Sequence, residues 1–143
     1  MSRSTIDFGI DLGTTNSEIA VFDGTSTEII KNGDNVDNTS SAVWIDKHGD
    51  VVVGQRAKDM FQRDRANAKV KFKLLMGSKD HLHFAASGKK LLPEELSAEV
   101  LKELKGNVRE KLQEDIYAAV ITAPADFAAP QIEAKQSGDT RGI

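Results

Sequence analysis

Asp7-Phe8-Gly9-Ile10-Asp11-Leu12-Gly13-Thr14-Thr15-Asn16-Ser17 is the stretch that decides how this chain is read. Ile6, Phe8 and Ile10 alternate with polar or small residues, the period of a strand with one face on a core. The strand ends in an aspartate, a glycine follows two residues later, and Thr14, Thr15 and Asn16 then offer hydrogen-bond donors. A strand-to-strand turn that wraps a phosphate needs these parts. The carboxylate of Asp11 can serve a metal ion, Gly13 lets backbone N–H groups approach phosphate oxygens, and the threonines add hydroxyls. The same string also suits a plain hairpin whose Asp, Gly and Thr satisfy their own backbone. It is not a Walker loop, because no G-x-x-x-x-G-K-[ST] occurs. It is not a dinucleotide fingerprint either, because strand leads to strand rather than to helix.

Working outward, Glu18 to Phe22 reads as a second strand, Asp23-Gly24 as a turn and Glu28-Ile29-Ile30 as a third strand ending at Asn32-Gly33-Asp34. Three strands with short connections make an antiparallel meander. The polar stretch from Asn32 to Ser41 reads as a surface loop. Ala42-Val43-Trp44-Ile45 and Val51-Val52-Val53 flank a short loop and form a hairpin. Gln55 to Arg65 reads as a mostly solvated helix. Val70 to Met76 reads as a shorter helical piece stopped by Gly77. His81 to Phe84 and Lys89 to Leu92, around Ser87-Gly88, suggest a second hairpin. Leu96, Val100, Leu101, Leu104, Val108 and Leu112 recur at helical spacing, with Pro93-Glu94-Glu95 as a helix start and Gly106 as a weak interruption. Tyr117 to Thr122 is a short apolar run expected to be a buried strand. Pro124 ends it, and Phe127 to Ser137 suits a last helix.

A length of 143 residues suits one domain or one lobe of a larger one. The net charge of −3, with no basic block, argues against a nucleic-acid or membrane partner. There is no cysteine, which removes disulfides and thiolate zinc sites. No apolar run reaches the roughly 18 residues that span a bilayer. Met1-Ser2-Arg3-Ser4 runs into the first strand without a signal-peptide core, so the cytoplasm is the expected compartment. Asn38-Thr39-Ser40 fits a glycosylation sequon by chance. His81 and His83 would share a strand face, but no third zinc ligand is evident. Trp44 is expected in the core or at a sheet edge.

Five strings, collinear along nearly the whole chain, carry a resemblance. They are Phe8 to Ser17, Val53-Gly54-Gln55-Arg56-Ala57-Lys58, Phe72-Lys73-Leu74-Leu75-Met76-Gly77, Leu96 to Leu101, and Val120 to Phe127. Together they resemble the first part of the ATPase domain of the DnaK-type heat-shock protein 70 chaperone family, within the actin-like ATPase superfamily. The resemblance implies an α/β fold: one actin-like, ribonuclease H-like lobe, a mixed sheet with helices. The expected core is residues 1–37 and 113–143, with an inserted hairpin-and-helix subdomain over about 38–112.

The resemblance also implies a site for ATP or ADP with Mg²⁺ held through water. Asp11 would serve the metal, Gly13, Thr14, Thr15 and Asn16 would cradle phosphate, and Lys73 would act on the γ-phosphate, making Lys73, Asp11 and Thr14 the catalytic set. Lys71 is the neighbouring alternative, and the four-residue spacing to Gly77 selects Lys73. Pro124 would be a switch. Two departures stand out: Ile132 where the family has an arginine relay partner, and Ser40 where it usually has proline. The second phosphate loop, the adenosine pocket and the peptide-binding domain have no counterpart before Ile143. Turnover by this chain alone is therefore expected to be negligible. In an intact protein, ATP hydrolysis would drive binding and release of unfolded peptides, with co-chaperones, by a monomer. The alternatives are another superfamily member, a filament former or sugar kinase, and a non-catalytic nucleotide- or partner-binding module.

Overall fold

The structure, a computed structural model, describes residues 7–22, 24–116 and 119–122. The opening meander forms as the alternation requires. β1 (Phe8–Leu12), β2 (Asn16–Phe22) and β3 (Thr27–Ile29) are antiparallel neighbours, with Ile10 opposite Ile19 and Asp11 opposite Glu18. Phe8, Ile10 and Leu12 are buried while Gly9 and Asp11 are exposed, so a single face of β1 meets the core. β4 (Thr39–Ser40) pairs with the start of β2. Late in the chain β10 (Val120–Thr122) returns to lie parallel to β1, giving the order β10-β1-β2-β3. The sheet is therefore mixed, and the elements between form its crossover.

A second sheet has the order β6-β5-β7, from β5 (Ala42–Ile45), β6 (Val51–Val53) and β7 (Ala68–Val70). Helix α1 (Gln55–Arg63) packs against β5 and β7. β8 (Leu82–Phe84) and β9 (Lys89–Leu91) form the second hairpin. Helix α2 (Pro93–Leu112) starts with proline at its first position, and the Glu95 carboxylate accepts the Leu92 backbone N–H at 2.9 Å. Leu96, Val100, Leu104 and Val108 line one stripe of α2 and join Ile10, Ile19, Val43, Ile45 and Phe84 in one core.

Four expectations are corrected. The stretch from Asn32 to Ser41 is no simple surface loop, because Asn32, Thr39, Ser40 and Ser41 are buried. Their polarity is matched inside: Asn32 Nδ2 donates to the Asn38 carbonyl at 2.8 Å and to Thr39 Oγ1 at 3.2 Å, while its Oδ1 accepts the Asp34 N–H at 2.9 Å. Val70 to Met76 is no helix: Val70 ends β7, Lys71 takes a left-handed φ of 54°, and Phe72–Leu75 is a lone 3-10 turn. A side chain at positive φ breaks helical continuity. Helix α1 stops at Arg63, where Asp64 leaves helical angles, and a 3-10 turn (Arg65–Asn67) follows. Finally, β10 is not enclosed: Val120 is 57% exposed, on the open face shared with Gly9. Pro124, Ile132 and the expected last helix lie outside the described residues.

Candidate functional site

The turn between β1 and β2 is tight. The Gly13 N–H donates to the Asn16 carbonyl at 3.2 Å, and a Cβ on Gly13 would collide with that same oxygen. Glycine here is thus a matter of space. Ser41, buried beneath, braces the turn: its N–H donates to the Thr15 carbonyl at 2.8 Å and its hydroxyl to the Gly13 carbonyl at 2.9 Å. Ser17 Oγ lies 2.9 Å from Ser41 Oγ and supplies the proton of that bond. The inward carbonyls are satisfied, and the Thr14 and Thr15 hydroxyls, without hydrogen-bond partners among the described residues, are left to the outside.

They open on a cavity of about 230 Å³. Its polar walls are Thr14, Thr15, Ser40, Ser41, Lys58, Gln62 and Lys71, and Ala42, Phe61 and Val70 line its apolar side. Lys58 comes from α1 and Lys71 from the residue after β7. Neither ammonium has a carboxylate partner among the described residues. Two lysines and two threonines whose hydroxyls are without hydrogen-bond partners among the described residues thus line one concavity.

The sequence-predicted residues do not all meet there. Asp11 is exposed on the open face of β1 and lines a separate shallow cavity of about 220 Å³ with Glu18 and Thr122. Thr122 Oγ1 lies 3.5 Å from its carboxylate. No group of three or more His, Asp or Glu able to hold a metal occurs among the described residues. The carboxylates of that hollow are those of Asp11 and Glu18. Asn16 is exposed at the start of β2. Lys73 sits in neither cavity: it is 0% exposed and its Nζ donates to Ser97 Oγ on α2 at 3.0 Å. Ser97 in turn contacts the Pro93 carbonyl at 2.9 Å.

Lys69, Lys71 and Lys73 thus have three environments. Lys69 projects from β7 over the Phe84 ring at 5.5 Å, and burial pushes its ammonium below the usual lysine range. Lys71 faces the cavity and Lys73 the interior. Sequence reasoning missed Lys58, Ser40 and Ser41 as cavity residues. The signal was present for Lys58, which ends the Val53-to-Lys58 string, but a spacing does not show which face of a helix a lysine takes. His81 and His83 are exposed on the second hairpin. Trp44 is half-buried on β5, its indole N–H donating to Asp64 at 3.1 Å.

The described residues form a mixed α/β lobe whose braced Gly-Thr-Thr turn borders a hollow that two lysines help to line. Comparison with known families narrows this. The family described as Hsp70 protein matches residues 7–142, and the chain belongs to that family. The fold this implies is the actin-like ATPase fold. Among curated proteins it is similar to the chaperone protein DnaK of two Halobacterium salinarum strains, R1 and NRC-1. Each is 36% identical over 136 residues, covering 94% of this chain and 21% of the relative. The chain therefore spans about a fifth of the length of those curated relatives. Among the described residues, no helix is long and apolar enough to cross a membrane.

Proposed function

We propose that this chain is the first part of the ATPase domain of a DnaK-type chaperone and that it binds the phosphates of ATP or ADP at the Thr14–Thr15 turn. The observation that carries this reading is the cavity itself: two unengaged threonine hydroxyls on a turn braced by Ser41, facing Lys58 and Lys71. Asp11, in the separate hollow with Glu18 and Thr122, would hold Mg²⁺ through water where a bound ligand extends to it. Gly13 keeps the turn tight, Asn16 closes it, and Lys73 would stabilise charge on the transferred phosphoryl group once it reaches the ligand. The lobe takes an inserted subdomain over about 38–112 between core segments 1–37 and 113–143, with Pro124 as a switch. In the whole protein, hydrolysis in the cytoplasm would drive cycles of unfolded-peptide binding with co-chaperones.

One observation favours binding without turnover for this chain by itself. Asp11 and Lys73 lie apart from the cavity, so the described lobe presents donors to phosphate but assembles no hydrolytic centre. Phosphoryl transfer depends on positioned charge around the whole phosphate.

Calorimetric titration with Mg·ATP tests the reading. Replacing Thr14 and Thr15 together by valine removes two hydrogen bonds to a charged group, each worth about 1.5–3 kcal/mol, and should weaken binding at least tenfold. Lys71→Ala should weaken it and flatten its salt dependence. Unchanged affinity in both variants would break the assignment.

A further inference from the structure

β6 is an open edge of the second sheet, whose order is β6-β5-β7. The Asp46 N–H donates to the Asp50 carbonyl and the Gly54 N–H to the Ala42 carbonyl, each at 3.1 Å. Bonded residues alternate along an antiparallel ladder, so Asp50, Val52 and Gly54 turn their backbone groups toward β5. Val51 and Val53 turn theirs away from the sheet, where they meet no backbone partner among the described residues. This outward run is bounded at both ends. Lys89 Nζ donates to the Gly49 carbonyl at 3.1 Å, and Gly54, at φ 108°, leads into α1. What remains is symmetrical, one residue with outward N–H and C=O groups on either side of Val52. The strand is three valines, with no lysine or proline to repel a further strand, and Val51 is 37% exposed.

We propose that β6 pairs with β6 of a second copy of this chain, antiparallel about a twofold axis at Val52, to form a reversible dimer. Val51 of each copy then stands opposite Val53 of the other, and these two pairs supply about four N–H···O bonds. A twofold interface must be complementary to itself, and an outward pattern centred on Val52 meets that condition. Charge agrees with this occupant. Val52 lies opposite Trp44, and Asp50 and Gly54 share its face by the period of a strand. The Arg56 guanidinium sits 5.4 Å from the centre of the Trp44 ring. In the pair, Asp50 of one copy stands opposite Gly54 of the other, two residues from Arg56. Both side chains belong to exposed residues, and neither has an ion-pair partner among the described residues. Two equivalent ion pairs therefore form across the axis. The Thr14–Thr15 hollow stays open in each copy, because Val70 and Lys71 of its wall lie at β7, the opposite edge of the sheet. The inference goes beyond the nucleotide reading and stands without it. A ladder this short holds weakly, so the dimer dissociates on dilution.

The test is sedimentation equilibrium of the full chain together with amide hydrogen exchange by NMR at two concentrations. Monomer should dominate at about 10 µM and dimer at about 1 mM, the range of a weak interface. At the higher concentration exchange at Val51 and Val53 should slow about threefold or more, while Val52, bonded to β5, stays unchanged. Val51→Pro deletes an outward donor and no bond to β5, so it should weaken dimerisation about tenfold or more. Should that variant fail to fold, a charge exchange between two exposed residues decides the matter. Asp50→Arg and Arg56→Asp should each weaken dimerisation about threefold or more, and the two together should restore it, which a merely structural role would not do. A chain that remains monomeric at about 1 mM overturns the proposal, and so does a dimer whose formation leaves exchange at Val51 and Val53 unchanged. Protection of these two amides in the monomer by an added valine-threonine pentapeptide, without self-association, would assign the edge to an extended peptide and overturn it as well.

Discussion

Two turns of this lobe handle polar groups in opposite ways. The Leu12–Asn16 turn directs its carbonyls inward onto Ser41 and leaves its threonine hydroxyls outside. The Phe72–Leu75 turn takes its ammonium inward onto Ser97 and leaves two leucines outside. The first arrangement is at rest: each buried polar atom is matched and the groups left open are those water readily solvates. The second places a charge where solvation is poorest and apolar surface where it is wasted. The contrast separates a turn whose hydroxyls are left outside from one whose ammonium is bonded inside, and family resemblance assigned both to one site.

The largest effect expected from this contrast is at Phe72, the anchor of the second turn, which is 1% exposed. Phe72→Ala should cost about 3–5 kcal/mol in urea unfolding, while Leu75→Ala stays within about 0.5 kcal/mol. Equal costs would mean that the turn is not inside out. Next is Gly13→Ala, whose Cβ meets the Asn16 oxygen; a cost of about 1–3 kcal/mol is expected from the forced backbone shift. A third substitution sharpens the comparison by sign. Lys73→Met leaves Ser97 Oγ without its buried donor and should destabilise the fold by about 1–3 kcal/mol, whereas Lys71→Met should be nearly neutral. Stabilisation by Lys73→Met would show that the interior charge is poorly matched.

Much of this was legible in the sequence. The meander, both hairpins and α2 follow from periodicity and turn residues, and the Gly13 turn follows from residue types. What could not be read has a common cause. Asn32, Thr39 and Ser41 look like loop residues because sequence shows their polarity but not their partners. Lys69, Lys71 and Lys73 look like one solvated face because the left-handed φ at Lys71 re-aims every side chain after it. Lys58 was visible within its motif, but its cavity is assembled from α1, β4, the β1–β2 turn and the end of β7, pairings of residues far apart in the chain.

The smallest expected effect lies away from both turns. The backbone N–H of Asp50, with that of His48, holds the Asp46 carboxyl below its ordinary value of 3.8. A lowered carboxylate stabilises the fold above the unfolded-state value, and the contribution is lost as pH falls through the lower folded-state one. The His48 and Asp50 amides should therefore lose exchange protection below about pH 4, before the β1–β2 meander does, and Asp46→Asn should abolish the difference.

The central claim is that the Thr14–Thr15 hollow is the phosphate edge of a nucleotide site. Titrating the ¹⁵N-labelled chain with Mg·ATP and following each amide by NMR tests it most directly. The account predicts saturable shifts concentrated at Thr14, Thr15, Ser41, Lys58 and Lys71, weakened by added salt. Shifts confined to other surfaces, such as the hollow between Glu28 and Lys111, with none at Thr14 and Thr15, would contradict it.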